Sequence, residues 1–287
     1  MVALILAIIS SASMTLVLKL FRGQSGNRFG ILLGNYLTCV VIALLSLPHV
    51  SMLWTGSTKT VLLGSIGGGF FVAALVAMQT SVRVNGATLT AAFAKLGLVV
   101  SLLVSVIWFG ERPGVMQLIG IVLVLCALIV MHAGPKKDAK LAGKTSLGLL
   151  LLTLLTGGCG DGMAKVFEQL GNAGENVLYI FWVFLTACVL TALLALWEKR
   201  RTGKRILLKE FAAGIAVGIP NYYSSYLLLV ALNRLPALLV FPVFSTGTIL
   251  LVFVFSVFFF RERPTKRQLA GILLILVSLV LLNLSYE

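Results

Sequence analysis

Residues 109–131 read FGERPGVMQLIGIVLVLCALIVM and residues 260–282 read FRERPTKRQLAGILLILVSLVLL. Set 151 positions apart, they match at Phe109/Phe260, Glu111/Glu262, Arg112/Arg263, Pro113/Pro264, Gln117/Gln268, Leu118/Leu269 and Gly120/Gly271. Shared apolar composition does not produce a run of polar matches, so the pair marks an internal repeat. Each copy is a charged corner leading into an apolar stretch of about 20 residues, the length with which a helix crosses a ~30 Å hydrocarbon core.

Such stretches fill the chain. It has 287 residues, mean hydropathy of +1.06 and 11% charged residues, against roughly 25% charged in soluble domains. Ten apolar segments can be drawn, near residues 2–21, 30–47, 60–82, 87–109, 114–132, 147–169, 176–197, 207–232, 236–260 and 267–285. The joints are short and punctuated, as in GERPG, NRLP and RERPT. The first segment lacks a basic start and a small-residue cleavage site, so it reads as a retained helix and not a signal peptide.

The repeat extends upstream: Gly64 and Gly68 in the third segment parallel Gly214 and Gly218 in the eighth, and LKLF at 18–21 parallels AKVF at 164–167. The expected organisation is a first five-helix repeat over 1–133, a basic connecting loop over 134–146 and a second five-helix repeat over 147–287. Because five crossings is an odd number, the second repeat must enter from the opposite side. The fold class expected is an all-α integral membrane protein with ten transmembrane helices in two inverted five-helix repeats, a recurrent plan of secondary transporters.

Where the charges lie explains the net charge of +14. The odd-numbered joints hold 17 basic residues, whereas the even-numbered joints hold only Lys59, Arg112 and Arg234. That asymmetry is a positive-inside pattern, placing odd joints in the cytoplasm and both termini outside. Nucleic acid is therefore not an expected partner. Cys39, Cys126, Cys159 and Cys188 lie singly in different segments, and His49 and His132 stand alone. Neither a metal site nor a cofactor is expected.

Ten helices in two five-helix halves, with a Glu-Arg-Pro corner after the fourth and ninth, resemble the drug/metabolite transporter superfamily, EamA-type. The resemblance spans essentially the whole chain and implies a transporter rather than an enzyme. Two features depart from the common pattern. The first helix, SSASMTLVLKL, lacks the Trp-Gly pair of many members, and members are often described with cytoplasmic termini, opposite to the charge count here.

Ionisable residues inside a membrane are costly and usually face a bundle interior or a wet cavity. Four candidates lie inside the segments: Lys19, Lys95, Asp161 and Lys165. At 1.5 Å of rise per residue, Lys19 and Lys165 lie ~11 Å from their helix centres, and Lys95 and Asp161 only ~5 Å. The outer lysines can snorkel to the interface; the deep pair has no such escape. Lys95, in TAAFAKLGLVV, is the leading substrate contact. The fourth and sixth helices enter from the same side, which sets Lys95 and Asp161 ~9 Å apart in height. Asp161 is therefore expected to pair with Lys165, its i+4 neighbour, or to act as a proton-linked switch. Asp161, Lys165 and Lys19 are the coupling and charge candidates.

In the eighth segment, GIPNYYSSYLLL contains Pro220, which opens the backbone ladder, beside Asn221, Tyr222 and Tyr226. Gln79, Phe93, Trp182, Phe241 and Phe244 complete the substrate-binding candidates. Gly64/Gly68, Gly158/Gly162 and Gly214/Gly218 are GxxxG pairs suited to close helix packing. Glu111 and Glu262 are expected to cap corners and pair at the interface beside Arg112 and Arg263.

Three lysines against one aspartate favour an anionic or zwitterionic solute, such as an amino acid or another carboxylated metabolite, exported by alternating access at a central cavity between the repeats. The expected partners are that small molecule, the lipid bilayer, and a proton or counter-substrate as coupling ion, in a multi-pass protein of the inner or plasma membrane, monomeric or homodimeric. Export of lipophilic cations or drugs is the alternative, disfavoured because the first helix holds Thr15 and Lys19 and no acid. A membrane-embedded lipid-modifying enzyme is disfavoured by the lack of clustered acids, histidines or a nucleophile–base pair.

Overall fold

The computed structural model describes residues 1–20, 27, 29–85, 87–132, 146–172, 174–259 and 265–284. Among them the regular elements are α1 (Val2–Leu20), α2 (Gly30–Leu45), α3 (Met52–Thr55), α4 (Thr58–Asn85), α5 (Ala87–Leu96), α6 (Leu98–Phe109), α7 (Val115–His132), α8 (Leu147–Leu170), α9 (Asn176–Thr202), α10 (Leu208–Leu232), α11 (Ala237–Phe258) and α12 (Lys266–Leu284). Helices satisfy every backbone polar group internally, which is what a lipid environment demands. Helices α4, α8, α9, α10 and α11 are long and apolar enough to cross a membrane, and α1, α2, α5–α6 and α7 hold shorter apolar windows.

The fourth apolar segment is the one that departs from a single helix. It divides into α5 and α6 at Gly97, where the amide of Gly97 tightens onto the carbonyl of Ala94 at 3.3 Å.

Local chemistry sets the helix ends. Gly110 and Gly203, at φ +67° and +71°, stop α6 and α9 in the left-handed conformation that glycine adopts without a steric penalty. The corner glutamines matched in the sequence repeat do the same work in both copies. Gln117 Oε1 accepts the amide of Gly114 at 3.1 Å, and Gln268 Oε1 accepts the amide of Thr265 at 2.8 Å, each closing the first turn of the following helix.

The chain forms two compact units, and each draws on both sequence halves: Met1–Val72 with Val166–Asn233, and Ala73–Lys165 with Arg234–Glu287. The division falls inside α4 and inside α8 and so differs from the sequence halves.

In the first unit α2 packs on α9 and α10, and α1 packs on α10. Tyr36, Phe71 and Phe184 fill the space between helices, with ring centroids 6.1 and 6.4 Å from Phe184. Four glycines let backbones touch. A methyl group on Gly64 would meet Trp182 Cβ at 2.7 Å and the carbonyl oxygen of Tyr179 at 2.9 Å, and one on Gly68 would meet Thr186 Cβ at 2.8 Å and the carbonyl of Val183. On Gly218 it would meet Thr38 Cβ at 2.6 Å and the carbonyl oxygen of Asn35 at 2.7 Å, and on Gly214 the carbonyl of Ile31 and Gly34 Cα at 2.8 Å. Tyr179, Trp182, Val183 and Thr186 each lie 148 positions after Ile31, Gly34, Asn35 and Thr38, and Gly214 and Gly218 lie 150 after Gly64 and Gly68. The crossing of α4 with α9 and that of α10 with α2 thus use the same contacts.

In the second unit α7 packs on α12, where Gly120 lies against Leu282 and the carbonyl of Ser278. Ala127, Ile272 and Ile275 form a buried cluster, covered by Ile249, Leu250 and Phe253 of α11. Helices α5 and α6 lie along α8 through a glycine seam described next.

Candidate functional site

The seam is where the α5–α6 junction at Gly97 meets α8. A methyl on Gly97 would lie 3.0 Å from both the amide nitrogen of Gly158 and the carbonyl oxygen of Leu154, and one on Gly158 would strike the carbonyl of Gly97 and Val100 Cβ. Ser101 Oγ donates to the carbonyl of Gly158 at 3.0 Å. Gly162 carries the contact one turn further, against Ser101 and Val104. Contacts advance in the same direction on both helices, so α6 and α8 run parallel.

This seam positions both deep charges. Lys95 precedes Gly97 by two residues, in the last turn of α5, and Asp161 follows Gly158 by three. Both are exposed, and they interact electrostatically without direct salt-bridge contact. The expected pairing of Asp161 with Lys165 does not form. Lys165, buried, instead reaches Glu111, with Nζ and Oε1 2.9 Å apart. A lysine stem on α8 that turns toward the α6–α7 corner finds a carboxylate closer to the helix end than Asp161.

Glu111 has a second role. Its two oxygens accept the amides of Ala237 and Leu238, each at 3.1 Å. These are the first donors of α11, orphaned by helix geometry, and the negative charge also suits the positive end of the helix dipole. Glu111 is therefore a cap, but of α11 and not of its own corner, and its ion partner is Lys165 and not Arg112. Glu262 and its neighbour Arg263 lie outside the described residues, as does the side chain of Lys19.

The second unit also holds Gln79, Phe93, Phe241 and Phe244. Ser81 Oγ and Thr90 Oγ1 lie 2.9 Å apart and join the end of α4 to α5. Gln79 is half-buried and its Oε1 is buried with no hydrogen-bond partner among the described residues. Phe93 and Phe244 are half-buried, whereas Phe241 is 3% exposed and belongs to the core.

The remaining candidates lie in the first unit. Asn221 Nδ2 donates to Asn35 Oδ1 at 3.1 Å and approaches Cys39 Sγ at 3.7 Å, while the Cys39 thiol donates to the carbonyl of Gly218 at 3.3 Å. Asn221 thereby clamps α10 to α2. Tyr222, 2% exposed, stacks on half-buried Tyr226 with centroids 6.1 Å apart and packs edge-on to Tyr223. Trp182 is half-buried with an unpartnered Nε1. Asn35 was the residue sequence reasoning missed. An amide in the middle of the second apolar segment, in GNY, was the available signal.

The three glycine pairs all sit at helix crossings: Gly64/Gly68 against α9, Gly214/Gly218 against α2, and Gly158/Gly162 against α5–α6. Among the described residues no three His, Cys, Asp or Glu side chains cluster, and the four cysteines are free thiols.

Comparison with known proteins agrees with this architecture. No curated protein matches the chain. Among 28 solved chains that do match, one titled "Crystal structure of protein" superposes with a TM-score of 0.76 at 14% identity, over 99% of this chain and 96% of its own. The fold is thus shared along the whole length. Residues 147–284 match the model of the EamA-like transporter family, whose members are transporters and not enzymes. With its apolar helices, the chain is a multi-pass membrane protein, and its residues 147–284 are similar to the EamA-like transporter family of the drug/metabolite transporter superfamily.

Proposed function

We propose that the protein is a ten-span secondary transporter of the inner or plasma membrane that exports a small zwitterionic or anionic metabolite, such as an amino acid or another carboxylate, by alternating access. One observation carries the reading: Lys95 and Asp161 are exposed in the spanning helices α5 and α8, in electrostatic reach yet with no salt bridge between them, and both adjoin the Gly97–Gly158 seam. A charge facing lipid is costly, so two exposed opposite charges at this depth belong on a wetted surface. Lys95 receives the solute carboxylate, and Asp161 receives an ammonium group or a coupling proton. Gln79 Oε1, in the same unit, is buried with no hydrogen-bond partner among the described residues.

The inverted-repeat organisation, 1–133 and 147–287 joined by 134–146, is supported by the equivalent contacts of Gly64/Gly68 and Gly214/Gly218 and by the equivalent caps of Gln117 and Gln268.

The test is a counterflow screen in liposomes with amino acids, organic acids, nucleobases and quaternary cations. Accumulation of a carboxylated solute is expected. Accumulation of quaternary cations with carboxylates ignored would replace this reading by cation export.

A further inference from the structure

The corner formed by the last turn of α9, the joint and the first turn of α10 carries Lys199, Arg200, Arg201, Lys204, Arg205 and Lys209, six cations in eleven residues, and all six are exposed. The two acids flanking the stretch turn inward. Glu198 is 9% exposed and Glu210 3%, and Glu210 Oε2 is committed to the amide of Leu207 at 3.1 Å. None of the six cations forms an ion pair with a described carboxylate. The described protein carboxylates therefore leave the charge of this corner unpaired.

The corner is also built rather than loose. Gly203, at φ +71°, returns its amide to the carbonyl of Lys199 at 2.9 Å and turns the chain. Asn27, 2% exposed, donates to the carbonyl of Ala195 at 3.0 Å and reaches that of Lys204 at 3.5 Å. Ile206 and Glu210 press against Gly30 of α2. An apolar shelf adjoins the charges: Trp197 and Leu196 on α9 and Leu208 at the start of α10 are 50%, 55% and 83% exposed. The Arg201 guanidinium lies 5.3 Å above the Trp197 ring, a cation–π contact that holds the charge at the level where tryptophan prefers the membrane interface.

A positive-inside signal requires only cations in the right joint. Sequestered acids, a pinned backbone and a Trp-anchored guanidinium beside an apolar shelf match a headgroup with acyl chains attached: phosphate oxygens to the cations, hydrocarbon to Trp197, Leu196 and Leu208. We propose that the α9–α10 corner is a binding site for an anionic phospholipid, independent of the solute transported.

The test is native mass spectrometry of the full-length protein in mild detergent, with added dioleoyl phosphatidylglycerol, dioleoyl phosphatidylcholine or inorganic phosphate. The parent is expected to retain the anionic lipid over the zwitterionic one. Lys204→Gln/Arg205→Gln/Lys209→Gln should weaken phosphatidylglycerol retention by about tenfold and leave phosphatidylcholine unchanged. Removing three lysines from the 134–146 segment (Lys136→Gln/Lys137→Gln/Lys140→Gln) should change little, separating the corner from net charge. Lys204→Arg/Lys209→Arg should bind as the parent does, which also shows that substitution here is tolerated. Equal retention of both lipids, equal loss in the two charge-removal variants, or displacement of bound lipid by millimolar phosphate would overturn the proposal.

Discussion

Replacing Glu111 by alanine removes three interactions at once: two amide bonds at the start of α11 and the partner of a buried ammonium. Loss of a cap costs roughly 0.5–2 kcal/mol. Removing one member of a buried ion pair costs about 3–5 kcal/mol, and the lower end applies because Glu111 is 15% exposed while Lys165 is 4%. The combined effect should be about 3.5–5 kcal/mol, a fall in melting temperature of roughly 7–20 °C at ~2–4 °C per kcal/mol. Circular dichroism of the detergent-solubilised protein reads it. Lys165→Met in the Glu111→Ala background should recover about 1–2 kcal/mol, because the stranded cation is gone, so the double-mutant cycle is strongly non-additive. A Glu111→Ala protein melting within about 1 °C of the parent, or an additive cycle, would refute both the cap and the pair.

Gly68→Ala and Gly218→Ala should each destabilise by about 1–3 kcal/mol through overpacking at the helix crossings, whereas Gly69→Ala, with open space around it, should be neutral or slightly stabilising; similar melting temperatures for all three would remove the close-contact argument. Asn35→Ala should cost about 1–2 kcal/mol, since it breaks the bond from Asn221 in a buried setting, and a stability equal to the parent's would deny the clamp. Asp161→Asn should abolish the pH and gradient dependence of uptake; transport that keeps both would exclude Asp161 as the coupling group.

Much of the fold was legible because the bilayer imposes one rule, sustained apolar length, and each of the ten apolar segments holds helix among its described residues. The Glu-Arg-Pro corners were legible as a repeat, and Gln117 and Gln268 show why those positions match: each closes the turn that starts the next helix. Partner choice was not legible. The i+4 rule offered Lys165 the neighbour Asp161, but Glu111, 54 positions earlier in sequence, stands closer once α6 and α8 pack side by side. The tightened turn at Gly97, which keeps right-handed helical dihedrals, was hidden because glycine inside an apolar run is tolerated in membrane helices, and its partner Gly158 is reached only once α8 packs against it. Among the site candidates, Lys95 and Asp161 share one seam, whereas Asn221 is engaged in holding α10 to α2 and Phe241 is core. A polar or aromatic residue in mid-span signals that something must satisfy it, without saying whether that is solute or protein.

The account rests on Lys95 and Asp161 receiving a carboxylated solute, and the most direct measurement is carboxylate counterflow in proteoliposomes by the parent, Lys95→Ala and Lys95→Arg proteins at matched incorporation. The account predicts accumulation by the parent, a loss of at least about tenfold in Lys95→Ala, the equivalent of one charged hydrogen bond, and partial recovery in Lys95→Arg. Full carboxylate transport by Lys95→Ala would contradict it.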